Sequence, residues 1–361
     1  MKISPLLLIL FLLTSINAQT TKDNLFDGVV MSGDWFLANS NTKLGDASWE
    51  NKFIIKRSYF TLKKEINAVF SVRYTQDITL DKEGADAGNI ETRMKYLYLK
   101  IKPKWNGSIT GSFFEVGMVH RPWLTYEQKT NIYRVQGNMH IERNKLYNSA
   151  GFGVLFGGNI GPKMEKDYLK NVNGSMKGKY ASFALGIYNG GGYSSFEENS
   201  NKVIEGILNF RPFANTIPQI QISNAFNIGK GNTADTPDFH QVLFHGGYFG
   251  EFFNISGQYH FGKGDYKGKY IDELDPEKSL KNNGFSIFSE VKFKNSPVAL
   301  FLRYDKFEIP DLVEKNTERQ IGGVKYALYK GLSLVLTGEK STYKVSSEED
   351  LVIDLNMQIS F

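Results

Sequence analysis

The sequence predicts an all-β protein, a transmembrane antiparallel β-barrel of about sixteen strands. Apolar and polar residues alternate along many short segments, as in the run from Leu351 to Phe361, where every odd residue is apolar. The 27 Phe, 19 Tyr and 35 Gly, beside only 10 Pro, are typical of a strand-rich chain. Mean hydropathy is -0.33, as expected for a spanning protein in which half of each strand faces water. Together these observations favour a barrel with a wet interior.

The first residues have the pattern of an export signal. Lys2 precedes an apolar stretch from Leu6 to Leu13, and small residues lead up to Ala18. We therefore expect a signal peptide, residues 1–18, cleaved after Ala18, and an outer-membrane barrel domain over residues 19–361. No later stretch approaches the roughly 20 consecutive apolar residues that a spanning helix needs. The expected location is the outer membrane of a Gram-negative cell.

The absence of cysteine excludes several kinds of functional and structural site. With none in the chain, disulfide scaffolds, zinc-thiolate sites, cysteine nucleophiles and a lipid-anchor cysteine are excluded. The net charge of +5 indicates a weak preference for anions.

Period-two runs bounded by turn residues predict the strands in order. Their expected spans are 26–38, 49–64, 67–80, 90–103, 107–120, 147–160, 178–189, 201–211, 217–229, 237–249, 252–264, 283–294, 297–309, 318–329, 332–344 and 350–361.

The connecting segments alternate between short and long, as in barrels with short periplasmic turns and longer outer loops. One segment breaks the rule, because Pro162 to Lys177 should be a short turn and is long. This predicts either a miscounted strand pair or an insertion in that turn.

Strand parity predicts which face of the wall each residue occupies. Leu300 and Leu302 alternate with Arg303 and Asp305, which places the polar set towards the lumen. Inward basic residues are expected at Arg73, Arg211, Lys292, Arg303, Arg319, Lys325 and at either Lys56 or Arg57. Pairing with an acid, such as Arg303 with Glu290 or Asp305, is one role for them. A soluble sandwich that buries the apolar face remains an alternative, because alternation does not name the solvent.

The longest loop is expected to narrow the pore. It runs from Arg121 to Leu146 after the fifth strand, and we expect it to fold inward as the third long loop. Its cations outnumber its acids, which would favour anions at a constriction; solvated loop charges are the alternative. The predicted constriction or anion-binding residues are Arg121, Lys129, Arg134, Arg143, Lys145, Arg73 and Arg303.

Four blocks resemble, in order, hairpins of the phosphate-selective porin O and P family. They are Phe53–Lys63, Met94–Leu99, Phe114–Pro122 leading to Ile141–Arg143, and Ala184–Gly190. The resemblance implies a sixteen-stranded, usually trimeric outer-membrane porin that takes up small anions passively through a basic constriction. The resemblance implies Arg143 and Arg121, before other residues, as members of this basic constriction. The inward acids Asp77, Glu115, Glu290, Asp305 and Glu339 depart from a purely basic lumen, so the resemblance does not decide phosphate selectivity.

The residues indicate no catalytic, cofactor or metal site. The five His have no ligand partner at suitable spacing, and no Gly-x-Ser-x-Gly elbow is present. Trp35, Trp49, Trp105 and Trp123 fit interfacial girdles. The expected partners are small anions or other hydrophilic solutes, outer-membrane lipid with lipopolysaccharide, and two further copies in a homotrimer, but no nucleic acid. A closed barrel acting as an adhesin or structural protein, or less favourably a barrel hydrolase, is the alternative to a channel.

Overall fold

The computed structural model describes residues 27–80, 87–105, 107–345 and 348–361. The predicted signal peptide lies outside these ranges. The described residues form sixteen strands in one closed antiparallel barrel, in which each strand pairs with its chain neighbours and β1 pairs with β16. This confirms the predicted fold class and strand count.

Strand bounds follow the predicted spans closely. The strands are β1 (Val29–Lys43), β2 (Glu50–Glu65), β3 (Phe70–Leu80), β4 (Ile90–Ile101), β5 (Ile109–His120), β6 (Ala150–Ile160), β7 (Ala181–Asn189), β8 (Lys202–Phe210), β9 (Ile220–Lys230), β10 (Asp238–Phe249), β11 (Phe253–Lys263), β12 (Lys281–Lys292), β13 (Val298–Glu308), β14 (Thr317–Tyr329), β15 (Leu332–Tyr343) and β16 (Glu349–Ser360). The largest difference is at β1, which continues past residue 38 to Lys43. Its polar end, Asn39 to Thr42, reads as a loop but pairs with β2 and β16 on both sides.

Within the described residues, three short helices lie in the connections, namely α1 (Pro122–Thr130), α2 (His140–Arg143) and α3 (Lys166–Asn171), with 3-10 turns at Arg134–Gln136 and Val313–Lys315. No helix among the described residues is long and apolar enough to cross a membrane. Helix α3 resolves the anomalous segment from Pro162 to Lys177. It is an insertion in the turn between β6 and β7, closed by an isolated bridge from Lys163 to Gly178, and no strand pair was miscounted.

The barrel wall is apolar outside and polar inside. On β13, Leu300 and Leu302 are 41% and 66% exposed, whereas Arg303 and Asp305 are 3% and 0% exposed. A soluble sandwich would bury the apolar face under a second sheet, but this sheet closes on itself and leaves that face uncovered. The soluble alternative is therefore wrong.

A β-bulge at Lys56 changes the predicted parity of β2. Lys56 stands opposite the step between Phe36 and Leu37, where the register of β1 and β2 shifts. Both Lys56 and Arg57 then face inward: Lys56 pairs with Asp354 at 2.5 Å, and Arg57 donates to the hydroxyl of Tyr59 at 3.1 Å. From the sequence, we expected either Lys56 or Arg57 to face the lumen. Because of the bulge, both of them do.

Residues 121–149, here called the lumenal segment, contact the inner wall on many strands. Arg121 reaches Glu205 on β8, Tyr133 reaches Glu290 on β12, and Arg143 reaches Glu339 on β15. On the other side, the carbonyl of Val135 accepts a hydrogen bond from Lys56 on β2. One segment can touch strands this far around a closed wall only from inside it.

Candidate functional site

Three of the predicted constriction residues form ion pairs. Arg121 is fully buried, with Nε 2.5 Å from Oε2 of Glu205 and its guanidinium 4.8 Å from the ring of Tyr188. Arg303 is buried against Asp305 at 2.5 Å, one of the two pairings expected from the sequence. Arg143 donates to Glu339 at 2.6 Å. The Arg121 and Arg143 pairs join the lumenal segment to the wall, whereas Arg303 pairs within β13 and reaches the segment by donating to the carbonyl of Asn138 at 3.1 Å. None of the three lines either of the two cavities described next.

The other predicted residues separate into two groups. Arg73, Lys129 and Arg134 come together at one cavity. Lys145 is exposed, has a φ of 57° and lines neither cavity.

The first cavity lies against the β1–β5 wall and has a volume of about 340 Å³. Four cations line it against one acid, Asp34: Arg73, Lys95, Lys129 and Arg134. Lys95 donates to the hydroxyl of Tyr59 at 3.1 Å, with its ammonium 4.5 Å from that ring. Arg134 has Nε and one Nη buried without a hydrogen-bond partner among the described residues.

The second cavity lies against β4 to β7 and has a volume of about 600 Å³. Its charged lining consists of Lys100, Lys102, Lys129, Lys163 and Lys177 against one acid, Glu115. That acid is compensated twice, by Lys100 at 3.1 Å and by His120 at 2.7 Å. The cavity is therefore basic.

Three residues line both cavities: His120, Thr125 and Lys129. His120 ends β5, while Thr125 and Lys129 lie one turn apart on α1. Lys129 is exposed and has no ion-pair or hydrogen-bond partner within the part of the chain that the structure describes. Lys129 therefore places an uncompensated ammonium in the lining that the two cavities share.

Two ionisable groups outside the strands have pKa values shifted in the directions expected beside many cations. Burial alone would raise the pKa of Glu142, but Arg57, Arg134 and Lys95 outweigh burial and lower it. Burial, with repulsion from Lys163, Lys100 and Lys129, lowers the pKa of Lys177. Nearby cations thus favour the ionised carboxylate of Glu142 and, together with burial, disfavour the charged ammonium of Lys177.

The insertion at the turn end, residues 161–180, contributes to the second cavity. Tyr168 of α3 donates to the carbonyl of Pro218 at 3.2 Å and accepts from Gln221 at 3.1 Å. Arg211 donates to the carbonyl of Met176 at 3.0 Å. These bonds fix Lys163 and Lys177 beside the cavity.

Sequence reasoning missed several lining residues for identifiable reasons. Lys95 occupies a bulge opposite the step between Thr75 and Gln76, so simple alternation misplaces it. Lys177 lies in the insertion, whose path the sequence does not define. Lys100 could have been found, because it shares the inward parity of Tyr96 and Tyr98.

Two other expectations concern tryptophan and metal. Trp35, Trp49 and Trp105 are exposed, but Trp123 is fully buried, so a girdle position is wrong for Trp123, which belongs to the lumenal segment. His140 and His260 lie with ring centroids 5.1 Å apart. Among the described residues, no three His, Asp or Glu side chains are grouped as metal ligands.

Comparisons with known proteins establish the fold. No family model and no curated protein matches the chain. Solved structures do match. An anion-selective porin from Comamonas acidovorans has a TM-score of 0.64 at 10% identity, covering 92% of this chain and 99% of that one. The OmpF structure from Salmonella typhi, in complex with daunomycin, gives 0.62 at 10% identity, covering 94% and 99%. The trimer form of OmpT from Vibrio cholerae gives 0.57 at 12% identity, covering 93% and 100%. The chain thus shares the sixteen-strand barrel fold of bacterial outer-membrane porins.

Proposed function

We propose that the protein is a passive outer-membrane channel that conducts small hydrophilic solutes and favours anions such as phosphate. The lining of the two cavities carries the proposal, because cations outnumber acids in both and Lys129 stands between them. A positive collar in a low-dielectric wall attracts permeating anions and repels cations. Solutes move down their gradient, and no reaction takes place.

We propose that the barrel has the same orientation in the outer membrane as other single-chain bacterial barrels. The long connections, including the one that forms the lumenal segment, face the cell exterior, and the short turns face the periplasm. The export signal proposed for residues 1–18 is consistent with this location.

The outer wall supports a homotrimer. Asn39 and Asn51 exchange side-chain hydrogen bonds of 3.1 and 3.0 Å, and Asn51 also donates to Asn41 at 2.8 Å. Their register partners Leu355 and Ile353 are exposed apolar residues of the same wall. Polar groups are costly against hydrocarbon, so this sector suits contact with another copy. The trimeric OmpT structure shows that a chain of this fold can assemble so.

Planar-bilayer recording under a salt gradient tests the channel and its selectivity. The variant K129Q/R134Q removes two lining cations, and K145Q, which removes a cation outside both cavities, is the matched control. We expect the anion-to-cation permeability ratio of the double variant to fall by about fivefold or more. Two unit charges 4 Å apart interact by about 1 kcal/mol even in bulk water. K145Q should retain the wild-type ratio.

Other outcomes would redirect the assignment. A reversal potential unchanged in K129Q/R134Q would remove the two cavities from the permeation route. Block of chloride current by added phosphate would support phosphate as a substrate. Persistent silence from correctly folded protein would overturn the channel proposal in favour of a closed barrel that acts as an adhesin or structural protein.

A further inference from the structure

A row of basic side chains crosses the outer wall at the loop end of β9 to β12. In register, His240 on β10 pairs with Lys263 on β11, which pairs with Lys281 on β12. Cross-strand neighbours of this kind have Cβ atoms about 4.5–5.5 Å apart. Lys230, at the end of β9, extends the row through its register partner Asp238. The row therefore forms one continuous basic patch.

The patch carries more positive charge than its acids neutralise. Asp238 is shared between Lys230 at 2.7 Å and Lys263 at 2.6 Å. Lys281 is exposed and has no ion-pair or hydrogen-bond partner among the residues that the structure describes. Two lysines further round the same rim have carboxylates of their own: Lys306 pairs with Glu308 and Lys340 with Glu349. At β9–β12, by contrast, Lys230, Lys263 and Lys281 have only Asp238 as an ion-pair partner among the described residues.

Exposed aromatic rings lie next to this charge. Tyr259 and Phe261 are 46% and 44% exposed, with ring centroids 6.0 Å apart. Phe244 stacks on Phe261 at 6.3 Å. The rings and the lysines share one outer-wall concavity of about 750 Å³, whose lining includes Lys263, Lys281, Tyr259 and Phe261. The surface therefore offers cations at the rim beside an apolar face.

We propose that this patch, Lys263 and Lys281 with Tyr259 and Phe261, binds a phosphorylated glycolipid of the outer leaflet, the lipid A part of lipopolysaccharide. The two ammonium groups hold a phosphate at the headgroup level, and an acyl chain lies along the exposed rings. Inorganic phosphate would use the lysines but leave the aromatic face uncovered. The inference rests on the proposed membrane orientation, in which the loop end faces outward.

Binding of purified lipid A to the full-length protein in detergent tests the site. Bisphosphorylated lipid A is compared with its dephosphorylated form for the wild type, for K263Q/K281Q and for the control K306Q, whose lysine has its own carboxylate. The double variant should bind the bisphosphorylated form about thirtyfold more weakly, because each lysine near an anionic lipid contributes about a factor of five. K306Q should match the wild type. The wild type should prefer the phosphorylated form.

Two results would overturn the proposal. One is equal affinity of K263Q/K281Q and wild type for bisphosphorylated lipid A. The other is competition by inorganic phosphate at the same concentrations as lipid A, which would identify a simple anion site. Single-channel current measured on the same preparations separates this proposal from the channel function. Current with no lipid preference refutes only the lipid site, whereas lipid preference with no current refutes only the channel.

Discussion

Nε of Arg121 donates to Oε2 of Glu205 over 2.5 Å, and neither side chain is accessible to solvent. The other carboxylate oxygen of Glu205 accepts the backbone N–H of Trp123 at 3.1 Å. One acid on β8 therefore fixes both the arginine that precedes α1 and the first turn of that helix. The position of Lys129, two turns further along α1, depends on this anchor.

Replacing Glu205 with Ala should destabilise the folded barrel by about 3–5 kcal/mol, because it leaves the buried Arg121 without its counter-charge. Urea unfolding followed by tryptophan fluorescence measures the change, since Trp123 is fully buried beside the pair. The matched control is E308A, which removes one acid from a partly exposed pair with Lys306, whose ammonium keeps Glu318 as a partner, and it should cost less than about 1 kcal/mol. Equal losses in the two variants would contradict an anchoring role for Glu205.

A cysteine placed at Thr125 should report the positive field at the junction of the cavities. The chain has no other cysteine, so T125C gives a single reactive thiol beside Lys129. We expect an anionic methanethiosulfonate reagent to modify it faster than a cationic reagent of similar size, because the lining cations concentrate anions there.

The control thiol is T342C, on the outer wall where the register partners of Thr342 are Glu318 and Glu349. It should show no preference for the anionic reagent. The same order of rates at both positions would mean that the preference comes from the reagents.

Substituting Gly117 with Ala should weaken the contact between β4 and β5. Gly117 has a φ of 127°, and an added Cβ would lie 2.4 Å from the carbonyl oxygen of Leu97. Strain of this type costs about 1–3 kcal/mol. The urea midpoint should fall in G117A and stay unchanged in G338A, because nothing lies within 4 Å of a Cβ at Gly338. A wild-type midpoint in G117A would show that the backbone relaxes.

Stability should depend on pH through Glu127, which is on α1. Burial raises the pKa of Glu127 to about 7 from its ordinary value of 4.5, although Arg303 acts in the opposite direction. Because the folded-state pKa is the higher one, the folded state favours the protonated form, and this stability is present below pH 4.5 and lost as the pH rises towards 7.

The isosteric variant E127Q isolates that contribution. The stability difference between wild type and E127Q should change between pH 4.5 and pH 7 and be flat above it. Urea midpoints across pH 4 to 9 measure it. A difference independent of pH would show that the pKa of Glu127 is the same in the folded and unfolded states.

The strands were predictable because their signal is local. On β13 and β15 the face of each residue follows from period-two alternation alone, and the closed wall obeys it. The bulges at Lys56 and Lys95 were not predictable, because one inserted residue reverses parity and no residue type marks the position. The anchor between Arg121 and Glu205 joins residues 84 apart in the chain. Neither sequence spacing nor composition indicates such a partner, so the sequence assigned Arg121 to the pore lining.

In the proposed channel, the position of the two cavities would give a permeating solute an off-centre route. The ion-pair and carboxylate anchors of the lumenal segment at Glu205, Glu290 and Glu339 lie on β8, β12 and β15, and the basic cavities run along β1 to β7. In a trimer joined through the wall that carries Asn39 and Asn51, the routes of the three subunits would lie near the common axis. The Debye length, the distance over which charges interact before salt screens them, is about 30 Å at 0.01 M salt but only about 3 Å at 1 M. Neighbouring pores would then reinforce one another's anion preference in dilute salt and act as independent pores in concentrated salt.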